Sequence, residues 1–180
     1  MDNNWRTALF EQALSDYRMM IRLIHTDSVE DCHRLHYLLM ASEKIAKAFT
    51  SNGANPPELK HEALTKFLQM AHHIGALQQA CDMTDTHKFI IYLRSLQSIA
   101  QRLEKLAPQG KEQLPNPEYP WEEREIGRQG DIHVHIRVPA RHDFSLEWQN
   151  NAASIGKFMQ FLDVCFKIAH RNLTDPRVVS

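Results

Sequence analysis

The chain has 180 residues, of which 43% are hydrophobic and 24% are charged, a composition typical of a globular domain and not of a disordered chain. The formal net charge of -1 at pH 7 excludes a global positive field that would attract nucleic acid or an anionic membrane. No stretch approaches the roughly 18 apolar residues of a membrane span, and three widely spaced cysteines are typical of a reducing compartment. We therefore predict a cytoplasmic protein with no membrane segment.

Apolar residues recur every three or four positions in five segments, which is the spacing of amphipathic helices. The segments are residues 5–24, 29–49, 64–80, 86–107 and a last one that follows Asp143 or Ser145 and ends near Pro176. Either side chain is of a type that caps a helix start. The pattern predicts a mainly α fold, a five-helix up-and-down bundle that forms one domain over residues 1–180.

An excursion over residues 108–145 interrupts the helical pattern. Four prolines and three glycines between Pro108 and Gly130 predict irregular structure there. Apolar and polar residues then alternate over residues 132–138, which predicts one short strand or extended arm before the last helix. A single strand cannot satisfy its own backbone amides, so we expect it to pair within the excursion or with a second chain. This strand and the amphipathic helices predict a homodimer.

Polar residues of catalytic type are densest around this strand. His133 and His135 lie two apart, so both rings project from one face and could hold zinc or iron with a third ligand such as His142 or a carboxylate. Exposed histidines on the solvent side of a strand give the same alternation. The chain has no recognised zinc spacing, Gly-rich phosphate loop or Gly-x-Ser-x-Gly elbow. We therefore predict neither a metal nor a cofactor.

Basic residues on the predicted helices are candidates for anion binding. Arg18, Arg22 and His25 share one face of the first helix, as the spacing of three and four requires. A solvated helix face explains the same residues equally well. Arg171 lies at the end of the last helix, where the helix dipole favours cations whatever the function.

The second helical segment resembles the second helix of HEPN domains. Its Arg34-x-x-Tyr37 start, its Ala46-Lys47-Ala48 end and the following Gly53, Pro56-Pro57 and His61 carry the resemblance, which extends with the helix order over residues 5–107 and 146–173. HEPN domains are compact helical bundles, commonly dimeric, found in prokaryotic toxin–antitoxin and antiviral systems beside a minimal nucleotidyltransferase. The resemblance implies such a bundle here, with Arg34 as a candidate binding residue.

Many HEPN domains are RNases with an Arg-x4–6-His signature near the last helix, in which arginine holds phosphate and histidine transfers protons. Here the last helix ends His170-Arg171-Asn172, in the reverse order. The spacing occurs instead in Arg137-Val-Pro-Ala-Arg-His142 and between Arg18 and His25.

Two hypotheses follow from the resemblance. The first is a non-enzymatic bundle that binds a protein partner, itself, RNA or a nucleotide within a toxin–antitoxin or defence assembly, with a nucleotidyltransferase-type antitoxin among the candidate partners. The second is a metal-independent endoribonuclease acting on single-stranded RNA. It would use Arg137 and His142 as the catalytic pair, with Arg141 or Arg171 supporting the phosphate and a second copy of the chain completing the site.

Overall fold

The computed structural model describes residues 4–56, 61–107, 117–118, 120–126 and 131–174, with the backbone alone at residues 121 and 172–174. These residues form six α-helices and one two-stranded sheet. The helices are α1 (Trp5–Ile24), α2 (Asp31–Thr50), α3 (Ala63–Met70), α4 (Gly75–Ala80), α5 (Thr86–Leu106) and α6 (Ala152–Thr174). The strands are β1 (Trp121–Ile126) and β2 (Ile132–Arg137). The predicted mainly α class, with a short strand before the last helix, is confirmed.

The core lies between the helices and is built from their apolar stripes. Each helix turns large side chains inward at the predicted spacing, and those that are fully or almost fully buried include Met20, Leu35, Phe67, Leu77, Phe89 and Phe161. α1 and α2 pack along each other, while α3 lies against both α2 and α5. Burial of side chains of this size contributes about 1.5–3 kcal/mol each, so this interior is the main source of stability.

The turn after α2 closes on the start of α1. The Trp5 amide donates to the Gly53 carbonyl at 3.0 Å, and the Asn4 side chain caps α1 by accepting from the Arg6 amide at 2.9 Å. Gly53 has a φ of +80°, and a Cβ there would lie 2.5 Å from Asn4 Oδ1. A side chain at this position would therefore strain the turn and displace the cap.

The prediction of one third helix over residues 64–80 is wrong. A 3₁₀ turn at Ala71–His73 separates α3 from α4, and Ile74 leaves the helical region with φ −96° and ψ 88°. Leu64, Ala71 and Leu77 are nevertheless all buried. The apolar spacing correctly predicts which side chains are buried, but it does not reveal a backbone break that keeps the same face inward.

The predicted strand does not stand alone. β1 and β2 form an antiparallel hairpin in which Ile126 pairs with Ile132 and Trp121 with Arg137. The prediction of an irregular chain up to Gly130 is therefore wrong for β1. The parts of the predicted excursion at residues 108–116, 119 and 127–130 lie outside the described residues.

The predicted start of the last helix is also wrong. The Asp143 carboxylate accepts from the Ser145 amide at 2.9 Å, which closes a local turn instead of capping a helix. This backbone hydrogen bond is the main reason that the pKa of Asp143 is lowered. A 3₁₀ turn at Gln149–Asn151 follows, and α6 begins only at Ala152.

Candidate functional site

The β1–β2 hairpin leaves the bundle between two anchored points. Pro117 is buried before β1, and Pro139 is buried after β2 in a 3₁₀ turn that packs against α2. Phe144 follows at 2% exposure. Every described side chain of the two strands, in contrast, is exposed. The chain thus fixes the stem of the hairpin to the bundle and extends both of its faces into solvent.

One face of the hairpin is apolar. Nine large apolar side chains are exposed among the described residues, and five of them lie here: Ile126, Ile132, Val134, Ile136 and Val138. Their exposure reaches 76% at Ile126 and 65% at Ile136. Directly paired residues of an antiparallel ladder project to the same side, so Arg124 and Glu122 of β1 share this face. A concentration of exposed aliphatic side chains marks an interaction surface.

The opposite face of the hairpin is polar, and its side chains contact one another. The Arg137 guanidinium contacts the Glu123 carboxylate, His133 Nε2 lies 2.6 Å from Asp131, and His135 Nε2 lies 3.8 Å from Glu125. The predicted projection of the two histidines to one side agrees with this register. Within the described residues, however, no set of three histidine, cysteine or acidic side chains is placed to hold a metal.

Within the described part of the chain, no hydrogen bond or ring contact links Arg137 and His142, the hypothetical catalytic pair. The Arg137 guanidinium is held by Glu123. The His142 ring stands edge-on against Phe144, with centroids 4.7 Å apart. The chain does turn between them, since the His142 amide donates to the Pro139 carbonyl at 3.1 Å. Arg141 lies in that turn and is exposed.

The basic strip of α1 is open to solvent. Arg18, Arg22 and His25 are all exposed, and in the part of the chain that the structure describes none of them forms a side-chain ion pair. They share one face of α1, in agreement with the helical spacing. The strip is an accessible basic surface.

The side chain of Arg34 links the end of α1 to the start of α2. Its Nε donates to the Leu23 carbonyl at 3.2 Å, and its other nitrogens bind the Thr26 carbonyl at 3.2 Å and Asp31 at 2.7 Å. The Leu23 carbonyl belongs to the last turn of α1, whose carbonyls have no partner within that helix, and Thr26 follows just after the helix end. The arginine of the Arg-x-x-Tyr start of α2 is therefore explained by the connection between the two helices.

Arg171 lies near the end of α6 and is exposed. The neighbouring His170 stacks on Phe10 of α1, with ring centroids 6.2 Å apart. The reversed His-Arg order thus places the histidine ring toward α1. The structure brings Arg171 to none of Arg137, Arg141 or His142 by a hydrogen bond or ring contact within the described residues.

Sequence reasoning missed a cluster of charges along α2. Glu43 is only 8% exposed and contacts both Lys47 and His61, while Lys44 binds Asp16 of α1 at 2.5 Å. The available signal was the spacing of Glu43, four residues after the buried Leu39, which places it on the buried stripe. A charge on that stripe requires an internal partner.

His36 lies beside this charged cluster. Its Nδ1 is buried and has no hydrogen-bond partner among the described residues, and Glu118 approaches to 3.9 Å. Burial lowers the pKa of His36, against the opposing effect of the Glu118 and Asp16 carboxylates. The imidazole is therefore biased toward its neutral form at the point where the chain before β1 meets α2.

The comparisons with known proteins identify no relative. No family model matches this sequence, and neither a curated protein nor a solved structure matches the chain. The resemblance to HEPN domains therefore stays a prediction. Among the described helices, none combines the length and the apolar character that crossing a membrane requires.

Proposed function

We propose that the protein is a HEPN-like, non-enzymatic assembly component of a cytoplasmic prokaryotic toxin–antitoxin or defence system, and that it binds protein through its hairpin. The observation that carries this proposal is the apolar face of the hairpin, formed by Ile126, Ile132, Val134, Ile136 and Val138. It is the main concentration of exposed aliphatic side chains within the described residues.

The energetics of a small hairpin support a binding role. A two-stranded hairpin is marginally stable in water unless a further strand or a helix packs on it. Here neither face is covered within the described chain. Burying each aliphatic side chain contributes about 1.5–3 kcal/mol, so a protein partner that covers this face would stabilise both the hairpin and the complex.

The state of the hypothetical nuclease pair also supports binding over catalysis. A guanidinium that holds a scissile phosphate must be available to it, whereas Arg137 is engaged by Glu123. A general acid or base must reach the atom whose proton it transfers, and within the described residues no hydrogen bond links His142 to Arg137. An RNA or a nucleotide would instead meet the exposed basic strip of Arg18, Arg22 and His25.

The test of the proposal is the apparent mass of the protein in extracts of the cells that make it, which shows whether it is part of a complex. The protein is expressed with a detectable tag, as the parent and as Ile132→Ser/Ile136→Ser. The matched control is His133→Ser/His135→Ser, which changes the opposite face of the same strand. Gel filtration of the extract, followed by detection of the tag, reports the apparent mass of each.

We expect the parent and the His133→Ser/His135→Ser control to migrate in a complex, and Ile132→Ser/Ile136→Ser to migrate at the mass of one tagged chain, which is 20.9 kDa plus the tag. Circular dichroism of the purified variants checks that all three retain their helices. Identical migration of all three proteins would contradict assembly through the apolar face.

A further inference from the structure

The apolar face of the hairpin has a pattern that fits its own copy. Along β2 and its extension the exposed row reads Ile132, Val134, Ile136, Val138. Val138 continues the strand, with φ −111° and ψ 128°. The row therefore alternates a larger and a smaller aliphatic side chain, and its midpoint lies at the level of His135.

A two-fold axis through that midpoint makes the row complementary to itself. The axis runs across the strands and places β2 antiparallel over the β2 of a second copy, in the face-to-face packing of two sheets. Ile132 then lies over Val138 of the second copy, and Val134 lies over its Ile136. Each isoleucine of this row meets a valine, so the reversed row fills its part of the interface evenly, as close packing of side chains requires.

The same two-fold axis also relates the two charged residues on this face. In the hairpin register His135 pairs with Glu123, so the axis also passes at the level of Glu123 and exchanges positions 122 and 124 of β1. Arg124 of one copy then lies over Glu122 of the other, and the reciprocal pair forms at the symmetric position. Within one chain these two groups already lie 3.6 Å apart and are half-exposed.

The charged groups of the polar face contact partners on the same hairpin. Arg137 contacts Glu123, and the rings of His133 and His135 lie beside Asp131 and Glu125. The apolar face carries one positive and one negative residue, and so has no net charge. Complementary charge is what distinguishes one protein partner from another, and the face is complementary to itself.

We propose that the hairpin docks face to face onto the hairpin of a second copy of this chain, with reciprocal contacts between Arg124 and Glu122. This inference rests on the proposed function, because it identifies the partner of the same apolar face. The contact is isologous, in which one patch serves both subunits, as closed two-fold dimers require.

Charge reversal at the two positions tests the arrangement. Arg124→Glu places glutamate opposite Glu122 of the second copy, and Glu122→Arg places arginine opposite Arg124. Each variant alone should dimerise about tenfold more weakly than the parent, since two like-charge contacts replace two ion pairs. An equimolar mixture of the two variants restores opposite charges at both contacts and should form heterodimers about as tightly as the parent forms homodimers.

Native mass spectrometry of the purified proteins, with one variant labelled with ¹⁵N, separates homodimers from heterodimers. Parent homodimers, weak homodimers of each variant and a dominant heterodimer in the mixture are the expected result. A parent that stays monomeric at about 100 µM would overturn the inference, and so would a mixture that associates no better than its components.

The two proposals fail in different ways. A monomeric purified parent, together with an extract complex that is lost in Ile132→Ser/Ile136→Ser, would overturn the second copy as partner and retain assembly through the apolar face. An extract complex that is unaffected by Ile132→Ser/Ile136→Ser would instead overturn the proposed function, whatever the purified protein does.

Discussion

Glu43 on α2 holds His61, which lies 18 residues later in the chain, with 2.5 Å between Glu43 Oε2 and His61 Nδ1. The other carboxylate oxygen accepts from Lys47. One buried carboxylate thus ties the segment that precedes α3 to the middle of α2. The resemblance to HEPN domains included Lys47 and His61, and this contact gives both of them a structural reason.

We predict that Glu43→Ala lowers the free energy of unfolding by about 2–4 kcal/mol, because it leaves the Lys47 ammonium and the His61 ring without their buried partner. Urea denaturation followed by circular dichroism measures the loss. Glu30→Ala, at an exposed position beside His33, is the matched control and should change the same quantity by less than about 0.5 kcal/mol. Equal effects of the two substitutions would show that the Glu43 contacts do not stabilise the fold.

His36 makes the stability dependent on pH. Since burial lowers its pKa in the folded state, the unfolded chain takes up the proton first as the pH falls. The contribution of the neutral His36 ring to the free energy of unfolding is fully present above about pH 6.5, the ordinary pKa of histidine. It is lost as the pH falls from there through the lowered pKa.

We predict that His36→Gln flattens the fall in unfolding free energy between about pH 7 and pH 5. Denaturation curves of the parent and the variant across that range measure the difference. His33→Gln, at an exposed position on the same helix, should leave the slope of the parent unchanged. Parallel curves for the parent and His36→Gln would contradict the assigned role.

We predict that dialysis against a strong chelator leaves the thermal midpoint and the helical circular dichroism unchanged. His133, the leading candidate ligand, is paired with Asp131, and the described residues hold no cluster of three metal-binding side chains. Elemental analysis before and after dialysis accompanies the thermal scan. A stoichiometric metal that is lost in His133→Ala would contradict this prediction.

We predict that the purified protein does not cleave single-stranded RNA, with or without magnesium. The reason is that Arg137 is bound to Glu123 and, within the described residues, forms no hydrogen bond with His142. Gel electrophoresis of a labelled RNA after incubation measures cleavage, and Arg137→Ala and His142→Ala exclude a contaminating nuclease. Cleavage by the parent that disappears in both variants, with unchanged circular dichroism, would establish the endoribonuclease instead.

The sequence predicted the long helices well, because their apolar stripes are regular. α1 and α5 agree with the predicted segments at residues 5–24 and 86–107 almost residue for residue. β1 was not predicted, since Trp-Glu-Glu-Arg-Glu-Ile has no alternation of apolar and polar residues. It becomes a strand because β2 offers it a complementary row of hydrogen-bonding groups and opposite charges, which is a property of the pair and not of either segment.

The candidate site could be predicted only in part. The alternation of residues 132–138 indicated two chemically different faces, and the structure agrees. The exposure of the apolar face depends on where Pro139 and Phe144 attach the hairpin to the bundle. The local sequence pattern does not predict that attachment. The ion pair that occupies Arg137 depended in turn on the unpredicted β1.

The mass of the purified chain in solution tests the central claim most directly. Sedimentation equilibrium of the parent at about 50 µM should give a mass of twice 20.9 kDa. This concentration is well above the dissociation constant expected for a specific dimer. Val134→Lys, in the middle of the apolar face, should give 20.9 kDa with unchanged circular dichroism, while His135→Lys on the opposite face should remain dimeric. Equal masses for the parent and Val134→Lys, whether both monomeric or both dimeric, would contradict assembly of two copies through the hairpin.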